Sequence, residues 1–455
     1  MLSINTTFDN VSQWIVDLSN AICGYPEFCL LMGGGLILFI LSRGISIRHL
    51  PQGIRALRDK QASDSGKHTG QISSVQALLS AIAATVGMGN IAGVAIALTV
   101  GGPGAIFWMW VSALLGMTTK FFEGALSIMY KGTDEHGNPQ GGPMYIITQG
   151  LGPKWRWLAV AFSIFGLVGT LCFMQANQLV ESITTVFTTP MGIDNTAWLR
   201  LGLGIAIALI VGGVIMGGIG RIAKWASRLV PIMVVAYLAF VLIITVMNFQ
   251  AVPTIFKQIF EQAFTFEAGM GAFFFVALTG ARRAAMVNEA GVGTASMMHG
   301  ASQNTDPIRE GHIAMLGPAI DSGIVCTLTA IPILIAGNYV GLTDPKGLYV
   351  ALGAWEQLLP GIGHYLLMAI VLCFAFSTMF SYSYYGQKCT QFLFGSRGIK
   401  WYNYYYLVMI VVAAVISLKT MVGLMDIAFA LMALCTMPTL IALAPRVMRL
   451  LKSKD

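Results

Sequence analysis

AATVGMGNIAG (residues 83–93) and VALTGARRAAMVNEAG (residues 276–291) interrupt long apolar segments with glycine and polar side chains. A helix that breaks inside hydrocarbon leaves N–H and C=O groups without helical partners. This is tolerated only where protein or a water-filled cavity supplies new ones. Paired breaks in corresponding positions of two halves point to the binding site of a secondary transporter. For either glycine run alone, close helix packing through small residues is the competing explanation.

Composition sets the solvent. The chain has 455 residues, of which 56% are hydrophobic and 10% charged, with a mean hydropathy of +0.72. Soluble domains carry about 25% charged residues, so this is an integral membrane protein, with the lipid bilayer as a partner. Eleven spans are read at 28–44, 75–101, 104–130, 157–187, 197–216, 229–248, 266–295, 311–338, 362–392, 401–418 and 422–445, around the ~20 residues a crossing needs. The first, FCLLMGGGLILFILSRG, follows a mostly polar stretch with no basic cluster. It is therefore expected to be a retained span and not a signal peptide.

The formal charge of +7 is distributed by topology. With the N-terminus outside, only Arg200, Lys257, Lys346 and Lys419 among the 27 Lys and Arg fall on the outer side. Arg43, Arg48, Arg55, Arg58, Lys60 and Lys67 crowd the first inner loop, and Arg446, Arg449, Lys452 and Lys454 the tail. The positive-inside bias predicts a multi-pass protein of the cell membrane, N-terminus out and C-terminus cytoplasmic. The basic excess thus gives no reason to expect nucleic acid.

The expected organisation has five parts. Residues 1–69 hold the outer N-terminus, an extra helix and a basic inner loop. Residues 70–250 form a five-helix repeat, 251–265 an outer connecting helix, 266–445 a second repeat and 446–455 the tail. Five is odd, so the repeats insert in opposite orientations. Of the cysteines, Cys23 and Cys29 are near enough in sequence to pair in an oxidising compartment, and the others read as small hydrophobes. Neither a phosphate-binding GxxxxGK[ST] nor HExxH occurs, so a pump or hydrolase lacks its residues. A channel would call for a filter or charged ring contributed by several subunits.

Lys120, Glu123, Arg282, Arg283 and Glu289 fall toward the inner third of their spans. A lone charge at mid-membrane costs about 2.5–3.5 kcal/mol on insertion scales, so these are expected to pair, either as an inner gate or as static glue. Asp321 is a candidate for a second cation, a proton or a helix–helix hydrogen bond.

GMGNIAGVAIALTVGGPGAIFWMW (87–110), TKFFE (119–123), GGPMYI (141–146), NEAGVGTAS (288–296) and DSGIVCT (321–327) together resemble the alanine or glycine:cation symporter family, in order, from about residue 70 to 445. The resemblance implies an all-α polytopic membrane protein, not an enzyme. It also implies the five-plus-five inverted repeat of the leucine-transporter-type fold, with one extra N-terminal helix. This sequence departs from the family pattern just before NEAG, where ArgArgAlaAlaMetVal replaces a run usually written RG-F-S.

The resemblance further implies Na⁺-coupled uptake of alanine, glycine or both by alternating access, by a monomer with no organic cofactor. It assigns the substrate carboxylate to the amides of Met88 and Gly89 beside Gly87, where a half-helix N-terminus favours an anion. Carbonyls at Thr85 and from Phe273 through Ala277, near Thr279 and Gly280, would take the ammonium. Cys172, Phe173 and Gln175 would bound the side-chain pocket, and Asn90 would hold the kink or bridge substrate to ion. The ion set is the carbonyls of Ala83, Val86 and Phe374 with the hydroxyls of Ser377 and Thr378. These neutral oxygens suit a hard monovalent cation, and none would titrate to carry H⁺.

Overall fold

A computed structural model describes residues 13–453 apart from 20, 59–69, 136, 265–269, 343–346 and 417. Lys60, Lys67, Lys346 and Lys454, used above for orientation, lie outside the described residues. The chain there is almost wholly helical, with one short hairpin pairing Gly132–Thr133 to Pro139–Gln140.

A short apolar helix, α1 (Tyr25–Leu41), is followed by the amphipathic α2 (Leu50–Arg58). The next span is bent by 54° between α3 (Ser74–Thr85) and α4 (Gly89–Gly101). A reciprocal cap starts α3: Ser73 Oγ accepts from Gln76 N at 3.2 Å, and Gln76 Oε1 accepts from Ser73 N at 3.0 Å. Then come α5 (Gly104–Met129), α6 (Arg156–Gly169), α7 (Phe173–Ile183), α8 (Ala197–Ile215), α9 (Gly218–Met247) and the short α10 (Val252–Ala263). The second glycine-rich region contributes α11 (Met270–Asn288) and α12 (Thr294–Gly300). The remaining helices are α13 (Pro307–Ala336), α14 (Gly347–Leu358), α15 (Gly363–Phe394), α16 (Gly398–Val415) and α17 (Leu418–Lys452).

Among the described residues, seven helical stretches are long and apolar enough to cross a membrane, and the bent pair makes an eighth. Burial sorts them into layers. In α8 and α9 only 28% of the most apolar window is buried, against 72% in α15. Helix α15 is therefore the central post, and α8 and α9 turn apolar faces outward, as lipid contact allows.

Three expected spans are redrawn. The fourth is two helices, parted at Thr170–Cys172. The eighth starts earlier, at Pro307, where Asp306 Oδ1 caps it by accepting from Ile308 N at 3.0 Å. The seventh runs unbroken through Gly280 and stops at Asn288. The break expected around 273–280 thus lies at 289–293, where Glu289, Gly291 and Gly293 all have positive φ. Gly280 serves packing, since a Cβ there would overlap the backbone carbonyl of Ala105 on α5. Cys23 and Cys29 are both free thiols.

Replacing Gly280 with leucine is expected to force α11 away from α5 and cost roughly 1–3 kcal/mol, as overpacking does. Thermal unfolding in detergent would register the loss. Gly271→Ala, where an added Cβ meets nothing within 4 Å, is the matched control.

Candidate functional site

At the first break, α3 ends with Val86 in extended geometry (ψ 96°). Asn90 closes the gap: its Oδ1 accepts from Gly87 N at 2.9 Å and its Nδ2 donates to Asp321 O on α13 at 3.2 Å. These two bonds tie the break to α13. The half-helix beginning at Met88 and Gly89 carries no side-chain cap; Gly89 lines the cavity described below, whereas Met88 is fully buried and does not. Thr378 on α15 reaches the same place. Its Oγ1 lies 3.3 Å from Val86 O and 3.0 Å from Phe374 O. Gly87 is required for this approach, because a Cβ would sit 2.6 Å from Thr378 Oγ1.

The second break is held by charges instead. Glu289 adopts φ 52°, a left-handed conformation that costs a non-glycine residue energy unless its surroundings enforce it. Lys120 Nζ on α5 donates to Glu289 O at 3.2 Å, and Glu123 Oε1 accepts from Gly291 N at 2.6 Å. Lys120 and Glu123 also pair at 3.6 Å, both almost fully buried. The Glu289 carboxylate accepts from Thr294 Oγ1 at 2.6 Å and from the Tyr382 hydroxyl of α15. Thr436 Oγ1 on α17 donates to Val292 O at 3.0 Å.

Arg282 and Arg283 stand apart from that network. Their electrostatic neighbours include Asp426 on α17 and, for Arg282, Glu27 on α1. The expected five-member gate is thus two groups, because Glu289 turns back toward α5 and α15 after the helix ends whereas the arginines leave α11 one to two turns earlier.

A cavity of about 360 Å³ joins these features. Thr85, Gly87 and Gly89 line it from the first break, Gln175 and Gln178 from α7, and Arg283, Met286, Val287 and Glu289 from α11 and its end. Tyr382, Phe429 and Asp426 close it from α15 and α17, with Val16 and Ser19 of the helical residues 13–19 at one end.

Phe273, Ala277, Thr279 and Gly280 are not part of this lining. They belong to continuous helix, in which Thr279 Oγ1 donates to Phe275 O at 2.7 Å and the Phe273 ring packs edge-on to Trp108. Cys172 and Phe173 are buried beside the cavity and do not line it; Cys172 Sγ accepts from Tyr406 at 2.9 Å. From that helix only Met174, Gln175 and Gln178 reach the space.

The five residues assigned to the ion are all buried, with Ser377 Oγ donating to Phe374 O at 3.0 Å and Thr378 spanning α15 and the first break. Each hydroxyl also satisfies a carbonyl one turn back, as it would in any buried helix. Among the described residues no group of three or more His, Cys, Asp or Glu gathers to hold a metal. A cation here would be held by neutral oxygens.

Tyr382, Gln178 and Asp426 escaped the sequence reading. Tyr382 is four residues from Thr378, and Gln178 three from Gln175, so each shares a helix face with an assigned residue. Asp426 is a single acid near the start of a long apolar helix, a costly placement that signals function or pairing.

A bundle of membrane-crossing helices around a central cavity, with one helix broken against it, is the build of a membrane transporter. The sequence profile of the sodium:alanine symporter family matches residues 8–454, and the chain belongs to that family. It is therefore a multi-pass membrane transporter and not an enzyme. It is 38% identical to the sodium/alanine symporter AgcS of Methanococcus maripaludis over 82% of each chain. Identity is also 38% to a transporter of Haemophilus influenzae, covering 94% of this chain and 91% of that one. The crystal structure of a histidine-to-alanine mutant of the Eremococcus coleocola manganese transporter shares the fold (TM-score 0.55, 14% identity, 83% and 81% of the two chains).

Lys120→Met leaves Glu123 buried without its counter-charge, and a loss of about 3–5 kcal/mol is expected. The double variant Lys120→Met with Glu123→Gln, which keeps an acceptor for Gly291 N, is expected to recover part of it in thermal unfolding.

Proposed function

We propose that this protein carries alanine or glycine into the cell together with Na⁺, by alternating access around the cavity. The observation that carries the reading is the meeting at Val86–Gly87. One side of that break brings the uncapped start of the half-helix at Gly89 to the cavity wall, and the other offers a carbonyl to the Thr378 hydroxyl. A zwitterion's carboxylate belongs at the amides of that start and the ion at the carbonyls of Ala83, Val86 and Phe374 with Ser377 and Thr378. Cavity-facing Thr85 and Gln175, with the Glu289 carboxylate, are the acceptors nearest to serve the ammonium.

Membership of a sodium:alanine symporter family and 38% identity to AgcS support both cargoes. Sharing the first break makes their binding reciprocal, because an ion that fixes Val86 also fixes the amides beyond it. The gradient suffices: one charge at 100 mV is worth about 2.3 kcal/mol, and a tenfold Na⁺ ratio adds about 1.4 kcal/mol.

Counting α1, α11 with α12, and α16 alongside the eight apolar spans gives eleven crossings. Repeats over 70–250 and 266–445 then each contain one helix interrupted by glycines. The interruptions are not equivalent in detail, yet each ends a helix beside the same cavity. With the basic tail in the cytoplasm, the hairpin at 132–140 and its bonds to α15 (Gln391 Nε2 to Asp134 Oδ2, 3.4 Å; Lys388 to Gln140) close the inner side. The cavity then faces outward.

Binding of labelled alanine to purified protein, with Na⁺ and with choline replacing it, tests the coupling. Ser377→Ala with Thr378→Ala is expected to weaken the Na⁺ stimulation by about tenfold or more, each lost oxygen being worth about 1 kcal/mol. Full stimulation in that variant would remove the ion from this site. A fluorescent protein fused after Asp455 is expected to mature, as it does only on the cytoplasmic face; a dark fusion would reverse the topology.

A further inference from the structure

The outward face of α9 changes character along its length. Its first turns expose Arg221, Lys224, Trp225 and Arg228. Beyond them the same side exposes Ile232, Val235, Ala239, Leu242 and Val246. Steps of three or four residues keep both sets on one stripe of the helix. At 1.5 Å per residue the apolar part, Ile232 to Val246, is about 21 Å long, and the basic part, Arg221 to Arg228, about 10 Å. With the apolar part inside the ~30 Å of hydrocarbon, the cations stand at headgroup depth. Trp225, 42% exposed among them, is the amphipathic ring that belongs there.

Basic residues at a membrane boundary are ordinary. These differ in that the surrounding chain offers them no counter-charge. No acid occurs between Asp194 and Glu261, the stretch that forms α8 and α9, nor between Glu356 and Asp426, which supplies α15 and α16. None of the ion pairs among the described residues includes Arg221, Lys224 or Arg228. Arg221 Nη1 donates to Gly213 O at 2.8 Å and so holds the turn from α8. Lys224 and Arg228 are left facing outward. The start of α16 lies beside that turn, with Asn403 Nδ2 4.0 Å from Met216 Sδ, and adds the exposed Lys400 and Trp401.

We infer that this stripe of α9 binds an anionic glycerophospholipid, its phosphate against Lys224 and Arg228 and an acyl chain along Ile232, Val235 and Ala239. Charge and chain are answered by one helix in the order in which the lipid presents them. A zwitterionic lipid would bring an ammonium of its own to the cations. A free phosphate has nothing to lay on the apolar stripe, and an acidic protein segment could not follow that stripe into hydrocarbon. The inference needs neither the sodium nor the substrate reading, and it holds whichever leaflet receives this end of α9.

The test titrates purified protein in detergent with phosphatidylglycerol brominated near the headgroup end of its acyl chains. The signal is the fluorescence quenching that Trp225→Phe abolishes, so that only lipid beside Trp225 is counted. Saturable quenching is expected, at least about tenfold tighter than with phosphatidylcholine brominated in the same way. Lys224→Gln with Arg228→Gln is expected to weaken it by about thirtyfold, from about fivefold for each cation near an anionic headgroup. Lys257→Gln on α10 is expected to leave it unchanged. Should the double variant not fold, each single variant is read in the same way with about fivefold expected. Equal affinity in parent and variants would overturn the site, as would phosphatidylcholine binding as tightly. Quenching that persists in Trp225→Phe would put the lipid elsewhere. Glycerophosphoglycerol without chains, competing as well as the intact lipid, would make this an anion site and also overturn it.

Discussion

Everything in this protein turns on the peptide groups set free where two helices stop deep inside it. In water such groups would be solvated at little cost; in a bilayer each must find a partner or the segment cannot persist there. The two breaks solve the problem in different currencies. At the first, one neutral side chain, Asn90, bridges Gly87 to α13, and a hydroxyl from α15 covers Val86. At the second, a buried Lys120–Glu123 pair and Thr436 take up the backbone.

That difference divides labour. Neutral partners leave the first break locally uncharged, and under the proposed function a cation and a carboxylate would each be received there and released again. A site built from fixed charges would hold one of them too firmly. The charged second break takes its partners from its own protein, and it presents Glu289 and the end of α11 to the cavity. Tyr382 joins the two by touching Glu289 from the same helix that carries Thr378.

The membrane class and the first break were legible because hydropathy and a Gly-x-Gly run are local signals. The expected ion group came only through resemblance, since Ser377 and Thr378 look like ordinary helix hydroxyls until Val86 is placed beside them. The second break was misplaced by about a dozen residues. Gly280 carries the same letter as Gly291, and only the approach of Ala105 distinguishes a packing glycine from one needed for positive φ. The arginines were grouped with the wrong acids for a similar reason: along a helix, two turns of separation point a side chain to a different neighbour, and α17 lies far away in sequence. Asp426 and Glu27 come to α11 only through the tertiary fold.

Ile72, just before α3, bridges in parallel to Ser302, just after α12, with Gln303 N donating to Ile72 O at 2.8 Å and Gln71 N to Ala301 O at 2.8 Å. The short arms beyond the two breaks are therefore stitched together at their free ends by main-chain bonds. Under the proposed alternating access the two arms would move as one yoke, with the two glycine-rich gaps as its paired bearings.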